Sequence, residues 1–396
     1  MTSQHQEGEH PQGSSGPTEE RVIESALALE RSLRAAGFVG WDPYDALTSR
    51  VLRTCARSPL ARRFAIQSLK RSPVNFRPWV GVRPFSHTKA LALLVSAYAR
   101  LARRLPPGHA EREALALAAT LSQRAIRTTA GLGWGYDFDV QTRWGYYRRG
   151  EPNSIVTAFV AHALADLQDW LSTDSFSPFL RETRQFMLKE LLHQDGRKSY
   201  FSYYPGSPVA IHNANALVAS VIARTGRQYE VEQARSAIEY CIASQRPDGS
   251  WVYGDANGLD WIDGFHTAYV LWGLLAWHNR DPDMNCWSAL SRGVDFYLEN
   301  LIDPDGGPRA STTRRFPLDI HAAASAIWVL GDLRRVHVAA ADKQLLVLTW
   351  ALEHMRRGDG RFAYQLHRSY RNSTPYIRWN DGHMLLALAT ALRETA

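Results

Sequence analysis

The hydrophobic pattern of this chain is organised around six stretches that are small and apolar on nearly every side, the mark of helices enclosed all round. They begin at Ser86 (SHTKALALLVSAYARL), Asn153 (NSIVTAFVAHALADL), His212 (HNANALVASVIARTG), Asp263 (DGFHTAYVLWGLLAW), Asp319 (DIHAAASAIWVLGDL) and Asn380 (NDGHMLLALATAL). With His87, Ser154, Asn213, Asp263, Asp319 and Asp381 as equivalent starts, the spacings are 67, 59, 50, 56 and 62 residues. Similar helices joined by loops of unequal length indicate a repeat architecture. Between them lie more charged, amphipathic segments, such as HAEREALALAATLSQRAIR, YEVEQARSAIEYCIAS and KQLLVLTWALEHMRR, which read as helices with one wet face. The alternation predicts an all-α fold, an (α/α)6 toroid with inner helices around a central cavity and outer helices shielding them. One domain over residues 21–396 accounts for the pattern. The polar residues 1–20 lack the apolar stretch of a secretory signal and are expected to form a disordered tail.

Several amphipathic segments run into one kind of turn, as in QRPDGSWVYGD, HQDGRKSYFSYYP, DPDGGPR and RRGDGRFAYQ. The glycine supplies a positive φ that ends the helix, and extended, often aromatic residues follow before the next inner helix. Such returns should cross the mouth of the toroid. The stretch WGYDFDVQTRWGYY, residues 134–147, falls in the same slot, so its rings are expected at the rim of the cavity.

The inner helices begin with unusually polar residues: SH, NS, HNAN, DGFH, DIH and NDGH. N-capping alone would account for Ser86, Asn213, Asp263, Asp319 and Asp381. The histidines ask for more. His87, His212, His266, His321 and His383 sit within about a turn of the start of five inner helices, so a toroid is expected to gather them at one end of one cavity. Two carboxylate pairs accompany them: Asp137 with Asp139, on one side of a strand-like loop, and Asp260 with Asp263, beside Trp261 and His266. Like charges that close would push one pKa up and form an acid and base.

The net charge of +7 comes from Arg and reads as scattered over helix surfaces, which argues against a nucleic-acid partner. Cys55, Cys241 and Cys286 are far apart, with no disulfide or Cys-zinc spacing, and a cytoplasmic location is expected. No uncharged apolar run is long enough to span a bilayer. No phosphate loop, dinucleotide fingerprint or GxSxG elbow occurs, and no cofactor is expected. A divalent metal stays open, because His and Asp from separate helices are suitable ligands even though HxxxH and HxH are absent.

Two resemblances emerge from these residues. QRPDGSW, residues 245–251, resembles the Q-x3-G-x-W signature of terpenoid cyclases and protein prenyltransferases, which are α/α toroids, whereas the D-x-D-D acid motif has only DFDV and DWID as near approaches. Over residues from about 40 to the end, the chain more closely resembles a bacterial α/α-toroid family found among polysaccharide and O-antigen biosynthesis genes. GWDPYDAL, NFRPWVGV, GWGYDFDVQTR, SYYPGSPVAIHNANAL, DGSWVYGD, WIDGFHTAYVL, FPLDIHAAASAI and YIRWNDGHML carry that resemblance. It implies the toroid and a place in glycoconjugate metabolism, and leaves the reaction open.

The resulting expectation is a carbohydrate-active enzyme of hydrolase, lyase or epimerase type, acting on a sugar or glycan, with an isoprenoid cyclase or prenyltransferase-like enzyme and a non-catalytic binding protein as alternatives. Asp137, Asp139, His212, His266 and Asp263 are the expected proton-transfer groups. Trp134, Tyr136, Trp144, Trp251 and Trp261 are expected to stack on the substrate, and Asn213, Asn215, Asp319, His321 and Arg378 to orient it.

Overall fold

The six apolar stretches become the staves of a closed ring. In the computed structural model, which describes residues 16–143, 145–196, 198–282 and 286–392, the chain begins with Glu19–Ala35 (α1), Arg50–Cys55 (α2) and Pro59–Arg71 (α3). Then inner and outer helices alternate: Thr88–Leu101 (α4), His109–Gln123 (α5), Ser154–Leu171 (α6), Ser177–Phe186 (α7), His212–Thr225 (α8), Gln228–Ala243 (α9), Gly264–Arg280 (α10), Cys286–Asn300 (α11), Ile320–Leu333 (α12), Val338–His354 (α13) and Gly382–Ala391 (α14). Each even-numbered helix from α4 to α14 packs on the next, and α14 packs back on α4. The fold is an (α/α)6 toroid.

The outer helices α5, α7, α9, α11 and α13 each lie against the inner helix before them, and α1 fills the sixth outer place by packing on α14. The two ends of the described chain therefore close one ring. Glu19 and Glu20, expected in the tail, form the first turn of α1, where Thr18 caps the helix and acidic side chains suit its positive end.

The Asp-Gly turns have a common packing reason. Gly249 has a φ of +88°, and a Cβ there would lie 2.4 Å from the carbonyl oxygen of Arg292 on α11. Gly360, at φ +82°, sits in the same way against Ala28 of α1. The turn that ends one outer helix thus docks on the backbone of the next, which only glycine permits. The aromatic returns are fastened similarly: Trp134 Nε1 donates to Leu121 O and Trp251 Nε1 donates to Cys241 O, both at 2.8 Å, satisfying carbonyls near the ends of α5 and α9.

Between α1 and α4 the chain adds a small satellite. Ile66 and Leu69 of α3 pack with Ala46, Leu47 and Val82, and the ion pair of Arg77 with Asp45, both fully buried, ties this layer together.

Candidate functional site at the N-terminal end of the ring

The polar helix starts divide by role. Asp263 accepts from His266 N and Asp319 from His321 N, so both cap their helices as their type allows. Asn153 does the same for α6. Ser86, Asn213 and Asp381 do not cap. The hydroxyl of Ser86 is held by Arg124, Asn213 already lies inside α8, and Asp381 binds Arg361 and the Phe362 backbone.

Asp137 is the cap that α4 lacks in its own sequence. Its carboxylate accepts from Thr88 N at 2.7 Å and Thr88 Oγ1 at 2.8 Å, and Arg124 approaches within 3.3 Å. Asp139 accepts from the Arg149 backbone and faces the Tyr146 hydroxyl. The two carboxylates therefore serve different partners, and no hydrogen bond joins them. The expected acid and base pair is corrected to a helix cap and a loop anchor. Asp260 is exposed.

Nor do the five histidines converge. His87 contacts Gly40 O through Nε2, and His212 turns outward, its Nε2 2.9 Å from Asp255, which also takes the Tyr240 hydroxyl on α9. His212 is thus part of the contact between layers. Asn215 is structural as well, bonding Phe201 N and Ala237 O. Asn213 Oδ1 is buried without a partner beside Asp263 and His266 in a small recess.

The other three histidines lie together around Phe265 and Tyr269. His266 Nδ1 donates to Asp263 Oδ2 at 2.7 Å, which fixes the ring and leaves Nε2 as the nitrogen without a hydrogen-bond partner among the described residues. The side chain is 21% exposed. Asp263 also accepts from Trp261 Nε1 at 3.1 Å, and Trp261 stacks on Tyr253 at 4.4 Å between centroids, forming an aromatic wall beside His266. On the far side of Phe265 lie His321 and His383. Their Nδ1 atoms meet Trp379 O at 3.0 Å and Arg378 O at 2.7 Å, and their Nε2 atoms meet the single hydroxyl of Tyr269 at 2.9 and 3.0 Å. Carbonyl oxygens only accept, so both Nδ1 atoms carry protons and both Nε2 atoms present lone pairs in the neutral rings. Tyr269 has one proton for the two. Burial pushes both imidazoles well below the usual histidine range, helped at His321 by His383 and then Lys89 and at His383 by Lys89, and burial raises the Tyr269 hydroxyl.

Two buried basic side chains stand beside this group. Arg378 is paired with Asp42 and lies against the rings of Tyr136, Phe138 and Trp379. Lys89, 3% exposed, has no hydrogen-bond partner among the described residues and points over Phe159 at 4.0 Å. Burial first, and Arg378 second, hold its amine well below the ordinary lysine value. Burial would raise Asp42, but Arg378 outweighs it and keeps the carboxylate below its usual range.

Of the expected stacking residues, Tyr136 and Trp261 flank this end, with Tyr136 Oη 2.8 Å from Tyr203 Oη. Trp134, fully buried, is spent on fastening its return and is corrected to a structural residue, whereas Trp251, nearly as buried, fastens its own return and also borders the recess of Asn213, Asp263 and His266. Trp144 lies outside the described residues. Asp319 is held by Gln365, Trp379 and its own helix, and helps to position Trp379. Asp42, Lys89 and Tyr269 were absent from the expected set, and His383 was expected only as one of five gathered histidines, with no role of its own. Lys89 had a signal, being the one charge among the first residues of an apolar helix; Tyr269 had none. Among the described residues no three His, Cys, Asp or Glu side chains are grouped to hold a metal ion, and no helix is long and apolar enough to cross a membrane.

No protein-family model matches the chain, and no curated protein does. Solved structures match the fold over most of its length. An unsaturated glucuronyl hydrolase specific for heparin superposes with a TM-score of 0.65 at 11% identity, covering 94% of this chain and 97% of the other. The cellobiose 2-epimerase of Spirochaeta thermophila gives 0.56 at 13% identity, over 78% and 86%. A D-mannose isomerase gives 0.59 at 14% identity, over 77% and 87%. At these identities the similarity establishes the toroid.

Proposed function

We propose that this chain is a carbohydrate-active enzyme that works by proton transfer between imidazole bases and a sugar carbon, as an epimerase, isomerase or lyase does. The observation that carries the reading is the contrast between carboxylates and imidazoles. Asp137, Asp263 and Asp319 each already accept three protein hydrogen bonds, whereas Nε2 of His266, beside an aromatic wall, has no hydrogen-bond partner among the described residues. Glycoside hydrolysis in its usual form needs a pair of carboxyl groups flanking the scissile bond, one of them protonated to serve as the acid. Proton abstraction beside a carbonyl needs a base with a pKa near the working pH and a second group to return the proton.

In this scheme His266 touches the substrate as acid or base, and Asp263 positions it. The Tyr269–His321–His383 group, with neutral rings, is the second proton-handling centre across Phe265. Trp261 and Tyr253 supply the stacking surface, and Arg378 and Lys89 favour a developing enolate oxygen. Structural neighbours that act on glucuronides, cellobiose and mannose support a sugar as the substrate. An isoprenoid cyclase is disfavoured, since lone-pair bases would quench a carbocation and the buried Arg378 guanidinium would repel it. The test is incubation of the protein with reducing mono- and disaccharides and uronates in D2O, followed by NMR. Deuterium entering at the carbon next to the carbonyl, lost in His266→Ala, is expected; release of sugar without exchange would favour hydrolysis instead.

A further inference from the structure

Residues 50–83 contain eight arginines and one lysine and no Asp or Glu, so that the rest of the chain is slightly negative in sum. The positive charge is therefore gathered into one segment, which corrects the expectation of scattered charge. Of the nine cations only Arg77 has a carboxylate partner among the described residues, Asp45, in the buried tie of the satellite. Lys70 bonds the Tyr44 hydroxyl and Arg62 lies over the Tyr146 ring, while Arg50, Arg53, Arg63, Arg71 and Arg83 have no side-chain partner among the described residues.

The same segment exposes apolar side chains that a water-facing surface would bury. Leu60 is 74% exposed, Phe64 75%, Trp79 76% and Val51 62%. Leu60 and Phe64 are four residues apart and share one face of α3, opposite Ile66 and Leu69, which are buried in the satellite core. Phe76 and Trp79 pack against each other with ring centroids 5.2 Å apart and planes tilted by 58°. The segment is thus amphipathic twice over: its inner side holds the satellite on the toroid, and its outer side carries aromatic and aliphatic groups set among unpaired guanidinium groups.

We infer that α2, α3 and the loop through Trp79 form a docking face for an anionic lipid bilayer. A membrane surface offers both things this face lacks: phosphate oxygens for the arginines, and a hydrocarbon boundary for single protruding Leu, Phe and Trp side chains. A second copy of the chain would bring the same cations to a two-fold contact and be repelled. Arg50, Val51 and Arg83 also border a cleft of about 820 Å³ whose other wall is Ser86, Arg124 and Asp137 at the start of α4. The docked face would set that cleft, on the flank of the N-terminal end of the ring, close to the lipid head groups. The inference stands independently of the proposed chemistry.

The test is co-sedimentation of the full chain with vesicles of phosphatidylcholine alone and of phosphatidylcholine containing phosphatidylglycerol. Binding to the anionic vesicles, weakened by salt and reduced on the order of tenfold or more in the Leu60→Ser/Phe64→Ser/Trp79→Ser variant, is expected. These side chains are exposed, so circular dichroism should show the variant folded. Absence of binding to anionic vesicles would overturn the inference, as would equal binding by the triple variant, or a dimer in solution that the triple variant abolishes. Sugar-exchange activity would be unaffected in any of these cases, which separates this inference from the proposed function.

Discussion

Arg378 holds Asp42 with both arms of its guanidinium, Nε donating to Oδ2 at 2.6 Å and Nη2 to Oδ1 at 2.9 Å, in a pair that is almost wholly buried. The pair joins the lead-in to the last inner helix to the loop before the satellite. Removing one partner leaves the other as an uncompensated charge out of water. Asp42→Ala is expected to cost about 3–5 kcal/mol, read from the urea unfolding midpoint at neutral pH. A loss under about 1 kcal/mol would mean that water reaches Arg378 freely.

Asp263→Asn separates chemistry from capping. Asn is as good an N-cap as Asp, so the stability of α10 should change by no more than about 0.5 kcal/mol. Its amide cannot stabilise the charged imidazole or select one tautomer of His266 as the carboxylate does, so exchange at the sugar carbon should fall by about 10²- to 10⁴-fold. Equal activity in the variant would remove His266 from the proton-transfer role.

Tyr269→Phe deletes the only hydroxyl shared by His321 and His383. Two buried Nε2 lone pairs then have no donor, and a stability loss of about 1–3 kcal/mol is expected, together with slower exchange. Retention of full stability and rate would show that water replaces the hydroxyl.

Lys89→Met tests the lone amine. Met fills a similar volume and needs no hydrogen bond, so the variant should be at least as stable as the native chain while sugar exchange slows, a shift toward stability at the expense of the site. A less stable variant would indicate that the amine has a partner when the protein is in solution.

The buried imidazoles set a pH limit. His87, His321 and His383 are held below the usual histidine value by burial, and His162 down to about 3. In the unfolded chain they take up protons near pH 6.5, so below that pH the unfolded state binds more protons than the folded one and stability falls; above it both states are neutral and these groups contribute no slope. Each group contributes up to about 1.4 kcal/mol per pH unit. Urea midpoints should therefore be flat above pH 7 with respect to these groups and drop steeply from pH 6.5 to 5. A flat profile across that range would mean that the rings are protonated in the folded protein.

The hydrophobic pattern alone determined the toroid, because a helix enclosed on all sides must be small and apolar all round and a six-fold recurrence of such helices has few other ways to close. The same pattern located the polar end and supplied His266 with Asp263, since both lie within one turn and a helix start fixes their relation. The direction in which each polar side chain turns was settled by tertiary packing. Asp137 reads as one of a carboxylate pair until Thr88, 49 residues earlier, is seen to need a cap. His212 and His321 both lie in the first turn of an inner helix, yet one finds Asp255 in the outer layer and the other finds Tyr269 across the ring. Arg378 was visible as a polar residue, but Asp42, the partner that makes its burial tolerable, lies 336 residues away and could be recognised only once the ring had closed.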